Sequence, residues 1–184
     1  SDLFRDTYII KINLNINLKK WKPIEKNVAK KILNLPLDKK FFLFSSTNGV
    51  NYTRKGFKFV DSALKKLSSK RSDFELIIVG RKSIMDKKEY NFRFIDKIIG
   101  GNPVELRLLY SACEAVLMPS TIEAFGQVAI EASSCGIPTV GFKDTGIEDV
   151  IEHKVNGFLS NYLDQDDFDK GVNWTLTLNE EDSK

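Results

Sequence analysis

The sequence predicts an α/β fold, an open parallel sheet with helices on both faces. Short apolar runs of strand length recur along the chain. Stretches with helical spacing alternate with them, and the connections between the two are a few residues long. A continuous apolar run marks a strand buried on both faces, as in a parallel sheet.

The segment "KKWKPIEKNVAKKILNL" reads as a surface helix with Ile24, Val28 and Ile32 facing the core; its basic character gives contact with anionic lipid as the competing reading. "FFLFSS" (41–46) is the first buried strand. The helix "RKGFKFVDSALKKLSSK" follows, with Phe57, Val60, Ala63, Leu64 and Leu67 on one stripe. "ELIIVG" and "NFRFIDKII" are the next strands, and Pro103 opens a helix in "PVELRLLYSAC". "EAVLMPS" is the fourth strand, stopped by Pro119. A helix starting near Gly126, the strand "PTVGF", a short helix at "GIEDVIEH", the strand "GFLS" and a helix from about Asp164 complete the order. The 184 residues are expected to form one domain, with a linker-like start over about residues 1–22.

An apolar fraction of 42% and a charged fraction of 29% are those of a globular protein. No apolar run in the sequence approaches the length of a membrane-spanning helix, and the start has no signal-peptide pattern, so a cytoplasmic location is expected. Cys113 and Cys135 lack metal-ligand spacing and read as reduced thiols. Residues 1–60 carry 13 Lys/Arg against 4 Asp/Glu, whereas residues 101–184 carry 5 against 15. The basic half has no aromatic-interleaved run or nucleic-acid signature, so no nucleic-acid partner is expected. His153 is the only histidine and reads as a solvated helix end. The P-loop, GxSxG and GxGxxG patterns are absent from the sequence.

In open α/β sheets, ligands bind beyond the carboxyl ends of the strands, near helix N-termini. Two strand-following loops stand out on that ground. The first, "SSTNGVNYTRKG" (45–56), puts Arg54 and Lys55 at a helix start, where a cation is unfavourable unless an anion joins it. The second, "PSTIEAFG" (119–126), carries Glu123 and leads to a helix whose first amides, at Gly126, Gln127 and Val128, can receive an anion. Glu131, amid Val128, Ala129, Ile130 and Ala132, needs a hydrogen-bonding partner. A ribose diol and an Arg or Lys side chain are the two candidates.

The segments "RKGF…ALKKL", "ELIIVG", "ELRLLYSACEAVLMPS", "EAFGQVAIEASSCGIPTVGF" and "TGIEDVIEHKVNGFL" occur in an order that resembles the donor-binding, C-terminal half of family 4 retaining glycosyltransferases. Those enzymes have the two-domain GT-B fold, each half Rossmann-like. The resemblance covers residues from about 7 to about 170, and its most specific part is the E-x7-E element from Glu123 to Glu131. It implies that Glu131 binds the ribose of a UDP- or GDP-linked sugar. Glu123, with Ala124, Phe125 and Gly126, would face the donor sugar. Gln127 and Val128 amides with Lys55 would hold the diphosphate, and Arg81 and Ile99 would border the base. Glu123 and Lys55 are the catalytic candidates. No metal or other cofactor is expected, because fixed amides and a lysine supply the positive charge.

The sequence departs from the family in four respects. No glycine-arginine pair follows the first strand, so Arg54 is the candidate replacement on the phosphates. Thr145-Gly146-Ile147-Glu148-Asp149 stands where a Gly-Gly-x-Pro-Glu turn is usual, which puts close backbone approach at Thr145 in question, and Cys113-Glu114 replaces Ala-Asp. The N-terminal acceptor domain has no counterpart in this sequence, so the chain is expected to be part of a longer enzyme and inactive in sugar transfer alone. The implied partners are a nucleotide-sugar, the chain's own acceptor domain and a glycan or lipid-linked acceptor of surface polysaccharide synthesis. A GT-B epimerase half and a non-catalytic nucleotide-sugar module are the alternatives.

Overall fold

A computed structural model describes residues 15–85, 87–95 and 102–181. Its strands are β1 (Lys40–Ser46), β2 (Phe74–Gly80), β3 (Asn91–Ile95), β4 (Ala115–Met118), β5 (Thr139–Phe142) and β6 (Gly157–Ser160). They form one parallel six-stranded sheet in the order β3-β2-β1-β4-β5-β6. The helices are α1 (Lys26–Ile32), α2 (Phe57–Ser68), α3 (Pro103–Ala112), α4 (Gln127–Ser134) and α5 (Gln165–Glu181). The expected helix at "GIEDVIEH" is a single 3₁₀ turn, Gly146–Asp149. His153 lies beyond it in a bridge with Gly157, not at a helix end, and its Nδ1 accepts from the Leu159 amide at 3.1 Å.

Strand residues alternate between two apolar layers. Phe41 and Leu43 of β1 join the layer under α3 and α4, where Leu109, Tyr110, Ala129 and Ala132 are buried. Phe42 and Phe44 point the other way, into the layer under α2 and α5. That layer takes Phe59, Val60, Leu64 and Leu67 from α2 and Phe168, Val172 and Leu176 from α5. Burial of each such side chain stabilises the fold by roughly 1.5–3 kcal/mol. Both faces of the central strands are therefore dry, which is why their sequences read as uninterrupted apolar runs. Cys113 and Cys135 are free and buried, and burial pushes both thiols up, Cys135 to about 11.

Helix α1 is turned differently from its apolar pattern. Val28 and Ile32 are exposed at 45% and 57%, while Ala29 and Lys30 face inward. The Lys30 ammonium donates to the Lys39 carbonyl at 2.7 Å and lies over the Phe41 ring, so its stem fills the place expected of a branched apolar side chain. Glu114, buried at the start of β4, accepts from Lys26 at 2.6 Å and ties α1 to the sheet.

Strand order reverses between β1 and β4, the point at which such sheets open a crevice. The two loops leaving that point are joined through the backbone. The Thr121 amide donates to the Arg54 carbonyl at 2.8 Å. Gly56, left-handed at φ 70°, lies so close to Pro119 that a Cβ there would stand 1.9 Å from the proline carbonyl oxygen. Both φ and space demand glycine here. Gly56→Ala should therefore destabilise the chain by at least ~1–3 kcal/mol, the usual cost of a strained left-handed residue. Urea unfolding measures this, and an unchanged midpoint would contradict the packing described.

Candidate functional site

The 3₁₀ turn Thr53–Lys55 at the end of the β1 loop carries Lys55 over the crevice. Glu123, in the loop after β4, faces it, and the Lys55 Nζ donates to the Glu123 Oε2 at 2.9 Å. The anion that relieves a cation at the start of α2 is thus the chain's own carboxylate. Backbone contacts fix Glu123 from the other side, for the Gly146 amide donates to the Glu123 carbonyl at 2.8 Å. Close backbone approach at this turn is made by Gly146, where a Cβ would stand 2.3 Å from the Ala124 carbonyl oxygen. The departure from the Gly-Gly-x-Pro-Glu pattern keeps that contact although Thr145 itself is extended.

Helix α4 starts beside this pair. Its cap, Gly126, is left-handed at φ 87°, offers no side-chain cap, and leaves no acid in the first turn. The amides of Gln127 and Val128 have no intrahelical acceptor by helix geometry, so an anion can bond them from the crevice. Phe125 is half-buried and Ala124 exposed in the loop that leads to the cap. Ser120, at the carboxyl end of β4, is buried with an unpartnered hydroxyl in a small hollow that Lys55 and Val128 also line.

Glu131 lies one turn into α4. Its Oε2 accepts from the Tyr110 hydroxyl of α3 at 2.9 Å and its Oε1 from the Gln127 side-chain amide at 3.0 Å. Its partner within the chain is therefore a tyrosine and a glutamine, in place of the Arg or Lys weighed from sequence. Burial, and next the charge of Glu131, push the Tyr110 hydroxyl up, so it stays a proton donor. Each carboxylate oxygen has a second acceptor position, so two donors do not exhaust Glu131.

Of the residues singled out from sequence, Lys55, Glu123, Gly126, Gln127, Val128 and Glu131 come together around the start of α4. Arg54 does not face this group: it is exposed, lies near the Tyr52 ring and lines a separate hollow beside α2. Arg81 is exposed in the loop after β2, and Ile99 lies outside the described residues. Sequence reasoning missed Tyr110, Ser120 and Thr121. A tyrosine inside the apolar stripe of α3 is a signal that could have pointed to Tyr110, since a buried hydroxyl needs a partner. No helix among the described residues is long and apolar enough to cross a membrane.

A sheet order of this kind with a Lys–Glu pair at its crevice invites comparison with known proteins. The family model described as glycosyl transferases group 1 matches residues 25–184. An uncharacterized glycosyltransferase of Methanocaldococcus jannaschii is 31% identical over 149 residues, covering 78% of this chain and 36% of the relative. The chain spans about a third of the length of the curated relatives it matches. Among solved structures, sucrose-phosphate synthase from Thermosynechococcus elongatus superposes with a TM-score of 0.72 at 24% identity, over 88% of this chain and 42% of the other. The Anabaena protein HepE in complex with UDP and glucose gives 0.67 at 20% identity, over 88% and 45%. The sheet is the Rossmann-like unit of GT-B glycosyltransferases, and the chain belongs to the glycosyl transferases group 1 family.

Proposed function

We propose that this chain is the donor-binding, C-terminal half of a family 4 retaining glycosyltransferase acting in the cytoplasm on a glycan or lipid-linked acceptor. The observation that carries the reading is the meeting of Lys55, Glu123 and the open end of α4 at the strand-order reversal, with Glu131 one turn behind. In this reading the diphosphate of a UDP- or GDP-linked hexose lies on the Gln127 and Val128 amides and draws the Lys55 ammonium. The ribose hydroxyls donate to the free acceptor positions of Glu131, which Tyr110 and Gln127 hold in place. The donor sugar sits against Glu123, Ala124, Phe125 and Gly126, and the base lies toward Arg81 and Ile99. Support for a uridine-type donor comes from the HepE structure with UDP and glucose.

In the transfer step the bond between the sugar C1 and the terminal phosphate oxygen breaks, and its electron pair stays on the diphosphate. Lys55 and the two amides stabilise that developing charge without reorganising, so the reading requires no metal. The new bond forms from an acceptor hydroxyl oxygen on the same face of the sugar, and the hydroxyl proton passes to the departing phosphate oxygen. The acceptor would be held by an N-terminal half, and this chain alone would bind the donor without transferring sugar.

Titration calorimetry with UDP, GDP and their sugars tests the reading. Lys55→Ala should weaken nucleoside diphosphate binding about tenfold or more, ~1.4 kcal/mol, with little effect on the free nucleoside. An equal loss for both would remove Lys55 from the phosphates. Glu131→Ala should cost roughly 1–3 kcal/mol for diphosphate and nucleoside alike, and Tyr110→Phe a smaller part of it. Unchanged affinity in folded Glu131→Ala protein would remove Glu131 from the ribose.

A further inference from the structure

A cavity of about 780 Å³ opens on the α2 side of the β1 loop, and it shares neither Lys55, Glu123 nor Glu131 with the crevice. It lies within the size range of small-molecule sites. Four separate chain segments converge on it: the start of α2, the β2–β3 crossover, the loop after β4 and the loop after β6. Each brings large apolar side chains, Phe57, Ile84 with Met85, Ile122, and Tyr162 with Leu163. Ile84 is 98% exposed and Ile122 60%, although each lines this one hollow. Apolar side chains scattered singly over a surface need no explanation, but a cluster around a concavity does.

The charges at the same hollow are unbalanced. Among the described residues, Lys88, Lys58 and Arg54 line it, with Asp61 as the one acid. Asp61 is already committed, for its Oδ2 accepts from Lys88 at 2.9 Å and its Oδ1 from the Tyr90 hydroxyl at 2.7 Å. Lys58 lies over the Phe59 ring and Arg54 near the Tyr52 ring, and neither has a carboxylate partner among the described residues. The wall, among the described residues, is thus apolar with two positive charges, those of Lys58 and Arg54, that have no carboxylate partner. A neutral sugar would leave the apolar wall wet, and a bare phosphate would use only the cations.

We propose that this cavity binds a single amphiphilic anion, a hydrocarbon chain that ends in a phosphate or carboxylate. The chain lies against Ile84, Met85, Ile122 and Leu163, and the anionic head lies between Lys58 and Arg54. The site stands on these residues alone and does not depend on how the crevice binds a nucleotide. Titration of the chain with octyl, decyl and dodecyl phosphate below their micelle concentrations tests it. Affinity should rise about two- to fourfold per added methylene, the range expected for full or partial burial of each group. Lys58→Glu should weaken dodecyl phosphate binding about tenfold or more. Ile122→Asp should flatten the dependence on chain length. Both positions are exposed, and circular dichroism checks that each variant is folded. Three results would overturn the proposal: inorganic phosphate binding as tightly as dodecyl phosphate, dodecyl maltoside binding as tightly as dodecyl phosphate, or no binding of any alkyl phosphate.

Discussion

The site rests on one backbone contact, the hydrogen bond from the Thr121 amide to the Arg54 carbonyl, with Gly56 pressed against Pro119 beside it. Parallel neighbours β1 and β4 end within one residue of each other in register, but their helices leave on opposite faces of the sheet. The chain must therefore diverge here, and the contact holds the two loops together while it does so. One consequence is that Lys55 reaches Glu123 across 68 positions of sequence. Another is that Arg54, its neighbour in the chain, turns toward the α2 side. Two adjacent cations thus serve two different hollows.

Electrostatically, the crevice is closed on itself. The Lys55 ammonium has a carboxylate at 2.9 Å, whereas the amides at the start of α4 have no side-chain cap. An incoming anion gains the amides outright but must compete with Glu123 for the lysine. Such a pair is partly exposed, with side-chain exposures of 29% and 17%, so its strength is that of a solvent-screened ion pair, not of a buried one. It can be exchanged for a diphosphate at modest cost. Behind it, the buried Tyr110 holds Glu131 through its hydroxyl, while the Gln127 bond to the same carboxylate lies at the surface.

Much of this was legible in the sequence, and for a physical reason. "FFLFSS" and "ELIIVG" read as strands covered on both sides, and the glycine before "QVAIEASS" as a helix start, so the loops that build the crevice were identifiable. Lys55 and Glu131 were legible as residues needing a partner, and Glu123 as a carboxylate of the crevice loop. Which partners they take was not, because those contacts cross between elements: Lys55 to Glu123 joins loops, and Tyr110 to Glu131 joins α3 to α4. Helix α1 was misread for a related reason. Ile24, ahead of the helix, does pack against the core, but Val28 and Ile32 do not, because the seven-residue helix is oriented by Ala29 against the sheet and by the Lys30 ammonium on the Lys39 carbonyl. Periodicity cannot register a lysine stem used as an apolar filler.

The proposed function turns on a diphosphate seated at the open start of α4. Backbone amide chemical shifts of this chain during titration with UDP or GDP measure that directly. The amides of Gln127 and Val128 should shift most, with that of Lys55 following them, and the nucleoside alone should leave all three nearly still. Saturable binding whose largest shifts fall elsewhere, with Gln127 and Val128 unmoved, would contradict it.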